Sequence, residues 1–204
     1  GGFLGGNGPT GFGGTGGVGD GVDAPIAYVR PETVRVLLPA GIQPGRKEVV
    51  VETPQGRSDA YTVSFEESLP AVNAPAQFRV GGTQYASAVF EDGSTYALPD
   101  SAVTGVNSRP ALPGEMLTFY GTGFGAVTPN VTLGQLVDVE NTLVKRLEVF
   151  FGEKPAEIRY AGLAKGAVGV YQISVVLPKG VRGNAVPLTV KLDGEAANQD
   201  LHIA

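Results

Sequence analysis

One stretch of this sequence occurs twice. Val34-Arg35-Val36-Leu37-Leu38-Pro39-Ala40-Gly41-Ile42 matches Ile173-Ser174-Val175-Val176-Leu177-Pro178-Lys179-Gly180-Val181 at a constant offset of 139 residues. Past the proline, Val49 and Val51 fall on Leu188 and Val190 at the same offset, and the turn glycines Gly56 and Gly194 follow one residue out of step. Tyr61 and Val63 then correspond to Leu201 and Ile203, and upstream Pro25-Ile26-Ala27-Tyr28 mirrors Ala156-Glu157-Ile158-Arg159-Tyr160. Each copy of such a repeat is the same supersecondary unit, so the chain is expected to build two related bodies.

The repeated segments read as strands. Residues 33–38, 48–53, 61–65, 116–120, 147–151, 171–177, 188–192 and 201–203 are rich in β-branched, aromatic and leucine side chains, which fit a pleated, half-buried surface. Pro54-Gln55-Gly56, Asp92-Gly93 and Asp193-Gly194 punctuate them as turns. The chain has 31 Gly and 15 Pro among 204 residues, and neither residue sits well inside a helix, Gly for entropy and Pro for its missing donor. No window repeats its apolar residues at helical spacing over three turns. The expected fold is therefore all-β, built of antiparallel sandwiches.

The two copies are unequal. The second is preceded by Pro113-Gly114-Glu115-Met116-Leu117-Thr118-Phe119-Tyr120-Gly121-Thr122-Gly123-Phe124-Gly125 and then by residues 147–151. In their place the first has only a glycine-rich tail, with 12 glycines in the first 21 residues and Phe3, Leu4, Phe12 and Val18 among them. A sandwich needs both sheets to cover its core, and an unpaired strand edge is a template for another strand. The sequence thus divides into a glycine-rich segment 1–24 that could act as a strand donor, an incomplete first domain 25–70, a connecting segment 71–109 with a β-hairpin, and a second domain 110–204. Phe3, Leu4, Phe12 and Val18 are the residues expected to anchor assembly.

Composition removes much chemistry. With no Cys, one Met and one His, the chain has no disulfide, no thiolate ligand and no two-histidine metal site. A net charge of −5 argues against nucleic-acid binding, which needs clustered Lys and Arg. No apolar run approaches the ~20 residues that span a bilayer. Gly11 to Gly16 and Gly14 to Gly19 formally fit G-x-G-x-x-G, but the dinucleotide fingerprint works only between a strand and a helix, and no helix is expected here. Gly121-Thr122-Gly123-Phe124-Gly125 is read as a bulge or bend at a strand end. His202 alternates with Leu201 and Ile203 and is placed on the solvent face of the last strand. The carboxylates Glu66-Glu67, Glu91-Asp92, Asp138, Glu140, Asp193 and Glu195 show neither calcium-loop spacing nor a reason to share a cleft. No catalytic residue, cofactor or metal is expected. Tyr85, Phe90, Tyr96, Phe119 and Tyr120 could form a sugar-stacking platform, although strand cores use the same aromatics.

Three motifs carry a family resemblance. Pro113 through Gly125, Ala161-Gly162-Leu163-Ala164 and Gly169-Val170-Tyr171-Gln172-Ile173-Ser174-Val175 together resemble the uncharacterised C-terminal module of secreted acidobacterial proteins, a tandem of immunoglobulin-like domains of the IPT/TIG kind. The resemblance spans residues 25–204, is most specific at 171–178 and weakest at 66–108. Gly1 to Gly21 departs from it, standing where members carry opening strands. The resemblance implies two immunoglobulin-like sandwiches, an extracellular or cell-surface location and no catalytic residues. The expected function is that of a non-catalytic structural protein, a fibre subunit that self-associates into a homopolymer through protein–protein contacts and strand exchange. The alternative is an adhesin or carbohydrate-binding accessory module with Tyr85 and Tyr96 at its platform.

Overall fold

A computed structural model describes residues 15–18, 22–24, 26–36, 42–132 and 135–204. The chain forms two compact units, Gly1–Glu67 and Ser68–Ala204. Among the described residues both are made of antiparallel strands, with one 3-10 turn at Ala76–Phe78 and no α-helix.

The first unit holds β1 (Thr15–Val18), β2 (Val22–Ala24), β3 (Ile26–Arg30), β4 (Thr33–Val36), β5 (Gly45–Thr53), β6 (Gly56–Arg57) and β7 (Tyr61–Phe65). One sheet runs β2-β1-β5-β6 with β7 also on β5, and β3 and β4 form a separate hairpin.

The second unit holds β8 (Ala71–Val72), β9 (Arg79–Val80), β10 (Thr83–Gln84), β11 (Ala88–Phe90), β12 (Met116–Thr122), β13 (Val127–Thr128), β14 (Thr142–Leu143), β15 (Leu147–Phe151), β16 (Lys154–Pro155), β17 (Glu157–Leu163), β18 (Tyr171–Val176), β19 (Val186–Leu192), β20 (Glu195–Ala196) and β21 (Leu201–Ile203). Its two five-stranded sheets run β11-β12-β18-β17, with β8 also on β12, and β16-β15-β19-β20, with β21 also on β19. The inward faces meet in one core. Leu117, Phe119, Ile173 and Val175 come from the first sheet, and Leu147, Val149, Phe151, Leu188, Val190, Leu192 and Ile203 from the second. Strict alternation along β15, with Leu147, Val149 and Phe151 buried and Glu148 and Phe150 less so, is what aims these side chains inward. Each contributes roughly 1.5–3 kcal/mol when fully buried, so this core dominates the unit's stability.

The repeat survives as register. In the first copy Glu52 faces Arg57 and Val49 faces Tyr61; in the second Lys191 faces Ala196 and Leu188 faces Leu201. The hairpins β3–β4 and β17–β18 agree even in their irregularity: the pairing slips between Ile26 and Tyr28 in one and between Ile158 and Tyr160 in the other. Asp193 and Gly194 both take positive φ, 51° and 88°, the geometry of a tight I′ hairpin turn.

The structure places two of the segments more closely than the sequence does. Residues 71–109, which hold the hairpin β9–β10, pack as part of the second unit. The strands β8 and β11 add to the edge of β12, Phe78, Tyr85 and Leu98 form a second small core with Ala204, and backbone bonds Ala86 to His202 (2.9 Å), Ala204 to Ala97 (3.0 Å) and Ala111 to Ala204 (2.6 Å) fasten the segment to β21 and the chain's last residue. Strands this short carry no readable period, which is why the sequence pattern hides them. The glycine-rich tail, for its part, contributes a strand to its own unit. Thr15, Gly16, Gly17 and Val18 of β1 lie opposite Glu52, Val51, Val50 and Val49 of β5.

Candidate functional site

The candidate site is the edge of β4. In the second unit β18 is an interior strand, paired to β17 on one side and to β12 on the other. Its apolar residues Ile173 and Val175 are 1% and 0% exposed. By the repeat, β4 is the counterpart of β18, with Val34 in the place of Ile173, Arg35 of Ser174 and Val36 of Val175. The strand β3 stands where β17 stands, and the β1–β2 hairpin stands on β5 as β15–β16 stands on β19. Among the described residues nothing takes the place of β12, and β4 pairs with β3 alone.

Burial follows from that difference. Val34 is 38% exposed and Val29 41%, and Tyr61 is 74% exposed where its counterpart Leu201 is 6%. Val49, Val51 and Val63 are half-buried, while Leu188, Val190 and Ile203 are buried. Among the described side chains of the first unit only Ala24 is buried. A strand edge with no partner among the described residues, beside exposed valines, is a candidate site for strand addition.

The other sequence candidates do not converge on this edge. Phe3, Leu4 and Phe12 lie outside the described residues, and Val18 lies in β1 opposite Val49. Tyr85 is 4% exposed, and its hydroxyl donates to the Asn184 carbonyl at 2.5 Å, so it offers no platform. Its place in the run Tyr85-Ala86-Ser87-Ala88-Val89-Phe90, apolar but for Ser87 and with no charged residue, was the available signal, since such short runs mark buried segments. Tyr96 is half-buried with its ring edge-on to Phe78, centroids 5.1 Å apart. Phe90 and Phe119 are core residues. His202 is not on an open face: its side chain is 20% exposed, Tyr85 lies beside it, and its Nδ1 is buried without a hydrogen bond among the described residues.

The perturbed titrating groups hold loops together. Thr95 Oγ1 at 2.6 Å and the Thr95 and Ser94 amides at 2.8 Å all donate to the Asp92 carboxylate, which lowers its pKa to about 2. Arg109 meets Glu115 with two bonds, at 2.7 and 2.9 Å, and holds that carboxyl below its ordinary value. Burial raises Tyr171, whose hydroxyl donates to the Gly125 carbonyl. No group of three or more His, Asp or Glu among the described residues could hold a metal ion, and no described helix is long and apolar enough to cross a membrane. No family model, no curated protein and no solved structure matches the chain.

Proposed function

We propose that this chain is a non-catalytic extracellular structural protein, a fibre subunit of two immunoglobulin-like sandwiches that self-associates by strand addition. The observation that carries this reading is the contrast between equivalent positions of the repeat, Val34 at 38% exposure against Ile173 at 1%. One copy encloses its core, and among the described residues the other leaves the place of β12 unfilled. An interface that joins the completed face of one molecule to the open edge of the next is head-to-tail, and such an interface that does not close builds a filament. The test is electron microscopy and light scattering of the purified chain as concentration is raised. Filaments or a growing mass support the subunit reading; a chain that stays monomeric throughout removes it. Removing residues 1–14, which leaves β1 in place, asks whether Phe3, Leu4 and Phe12 take part, and filaments unchanged by that truncation would assign them none. The glycan-binding alternative is the weaker reading, because Tyr85 is buried and Tyr96 is packed on Phe78.

A further inference from the structure

We propose that the edge of β4 accepts, antiparallel to itself, an extended segment of a second polypeptide that carries a leucine-class and a phenylalanine-class residue two positions apart. The proposal rests on the reading of the first unit as an incomplete copy, and it names what completes it. The second unit supplies the template: Leu117 lies opposite Val175, Thr118 opposite Ser174, Phe119 opposite Ile173 and Tyr120 opposite Gln172. Leu117 and Phe119 are 0% and 1% exposed, so they fill the core between the sheets. Transferred through the repeat, a donor places a Leu-sized side chain opposite Val36, a Phe-sized one opposite Val34 and an aromatic or polar one opposite Thr33. At the position of Arg35 the template pairs Thr118 with Ser174, their hydroxyls 2.9 Å apart.

The chain's own β12 cannot be this donor, because it is already paired with β18 on one edge and with β8 and β11 on the other. Backbone bonds give such an added strand its affinity, and the alternate side chains give it specificity. The pattern is narrow, since a register slip of one residue would turn both large side chains away from the core.

The probe is a synthetic peptide with the sequence of residues 114–123, which contains β12, added to the full chain while amide exchange is followed residue by residue. In the free chain the β4 amides that face away from β3 exchange fast. Saturating peptide is expected to slow them at least about tenfold and to leave β18 unchanged; serine at the positions of Leu117 and Phe119 in the peptide is expected to weaken binding at least about tenfold, because both side chains then fail to fill the core. Three results would overturn the proposal: no binding, protection at β18 instead of β4, or β4 amides already protected in a free monomer by a segment of the same chain. Imaging separates this from the fibre reading. A chain that binds the peptide yet never polymerises keeps the acceptor edge and removes the fibre, whereas filaments that the peptide neither enters nor blocks keep the fibre and remove the edge.

Discussion

Two single residues report on how tightly the second unit is built. Gly121 sits where β8 crosses the end of β12, and a Cβ there would lie 2.3 Å from the Ala71 carbonyl oxygen. Gly123, with φ of 79°, would place one 2.0 Å from the Leu69 carbonyl. The glycines in Gly121-Thr122-Gly123 therefore serve close approach of backbone, a purpose that the sequence pattern alone presents as a bend. Because the obstacle is backbone, Gly121→Ala is expected to cost about 1–3 kcal/mol, the range for overpacking, with β8 displaced; denaturant unfolding measures it. His202 carries the opposite sign. A buried polar atom without a hydrogen bond costs about 1–3 kcal/mol; among the described residues the His202 Nδ1 has none and meets only the exposed Asp200 carboxylate, at 3.9 Å, so His202→Phe, which keeps a ring beside Tyr85, is expected to stabilise by about 1 kcal/mol. A lower midpoint of thermal unfolding in that variant would show that the imidazole is satisfied.

Segments explain what the sequence could and could not reveal. Strands β5, β7 and β18 are legible because the repeat marks each of them, and β15 because its apolar residues alternate. The strand β1 is not: Thr15-Gly16-Gly17-Val18 has almost no side chain to pattern, and it becomes a strand because β5 offers it an edge. The inequality of the two copies is legible in the sequence, since the opening strands can be counted, but which of those strands β1 replaces is not: it takes the place of β15 on β5. Polar staples were invisible for a different reason, because they depend on loop closure. Arg109 lies over the Phe90 ring at 3.8 Å while bonding Glu115 and the Pro110 carbonyl, which pins the run from β11 to β12. The pair is partly exposed, so Glu115→Gln is expected to cost only about 1 kcal/mol. Asp92 gives a pH signature. Its pKa is lowered in the fold, so its contribution is complete above the ordinary value of 3.8 and is lost as pH falls through about 2. Protection of the Ser94 and Thr95 amides should hold at pH 5 and fade across that window, and Asp92→Asn should abolish the step.

At the scale of the molecule the two units should differ in stability as they differ in burial. The second encloses a core from two sheets, whereas the first buries only Ala24 among its described side chains. Net stability is a small difference between burial and chain entropy, and a unit of this size is marginal even when its core is closed. Calorimetry of the full chain is therefore expected to show two transitions, the lower one belonging to the first unit, with a chain limited to Ser68–Ala204 keeping the upper transition alone. A single cooperative transition would mean that the first unit is not short of cover. The same experiment carries the acceptor edge to its consequence: a ligand that binds only the folded form, present at ten times its Kd, stabilises by about 1.4 kcal/mol. For a domain of some sixty residues that is a rise on the order of 5–10 °C. If the acceptor edge is as proposed, the peptide of residues 114–123 should raise the lower transition by that amount and leave the upper one where it was, because among the described residues it is β4 that lacks the partner its counterpart β18 has in β12.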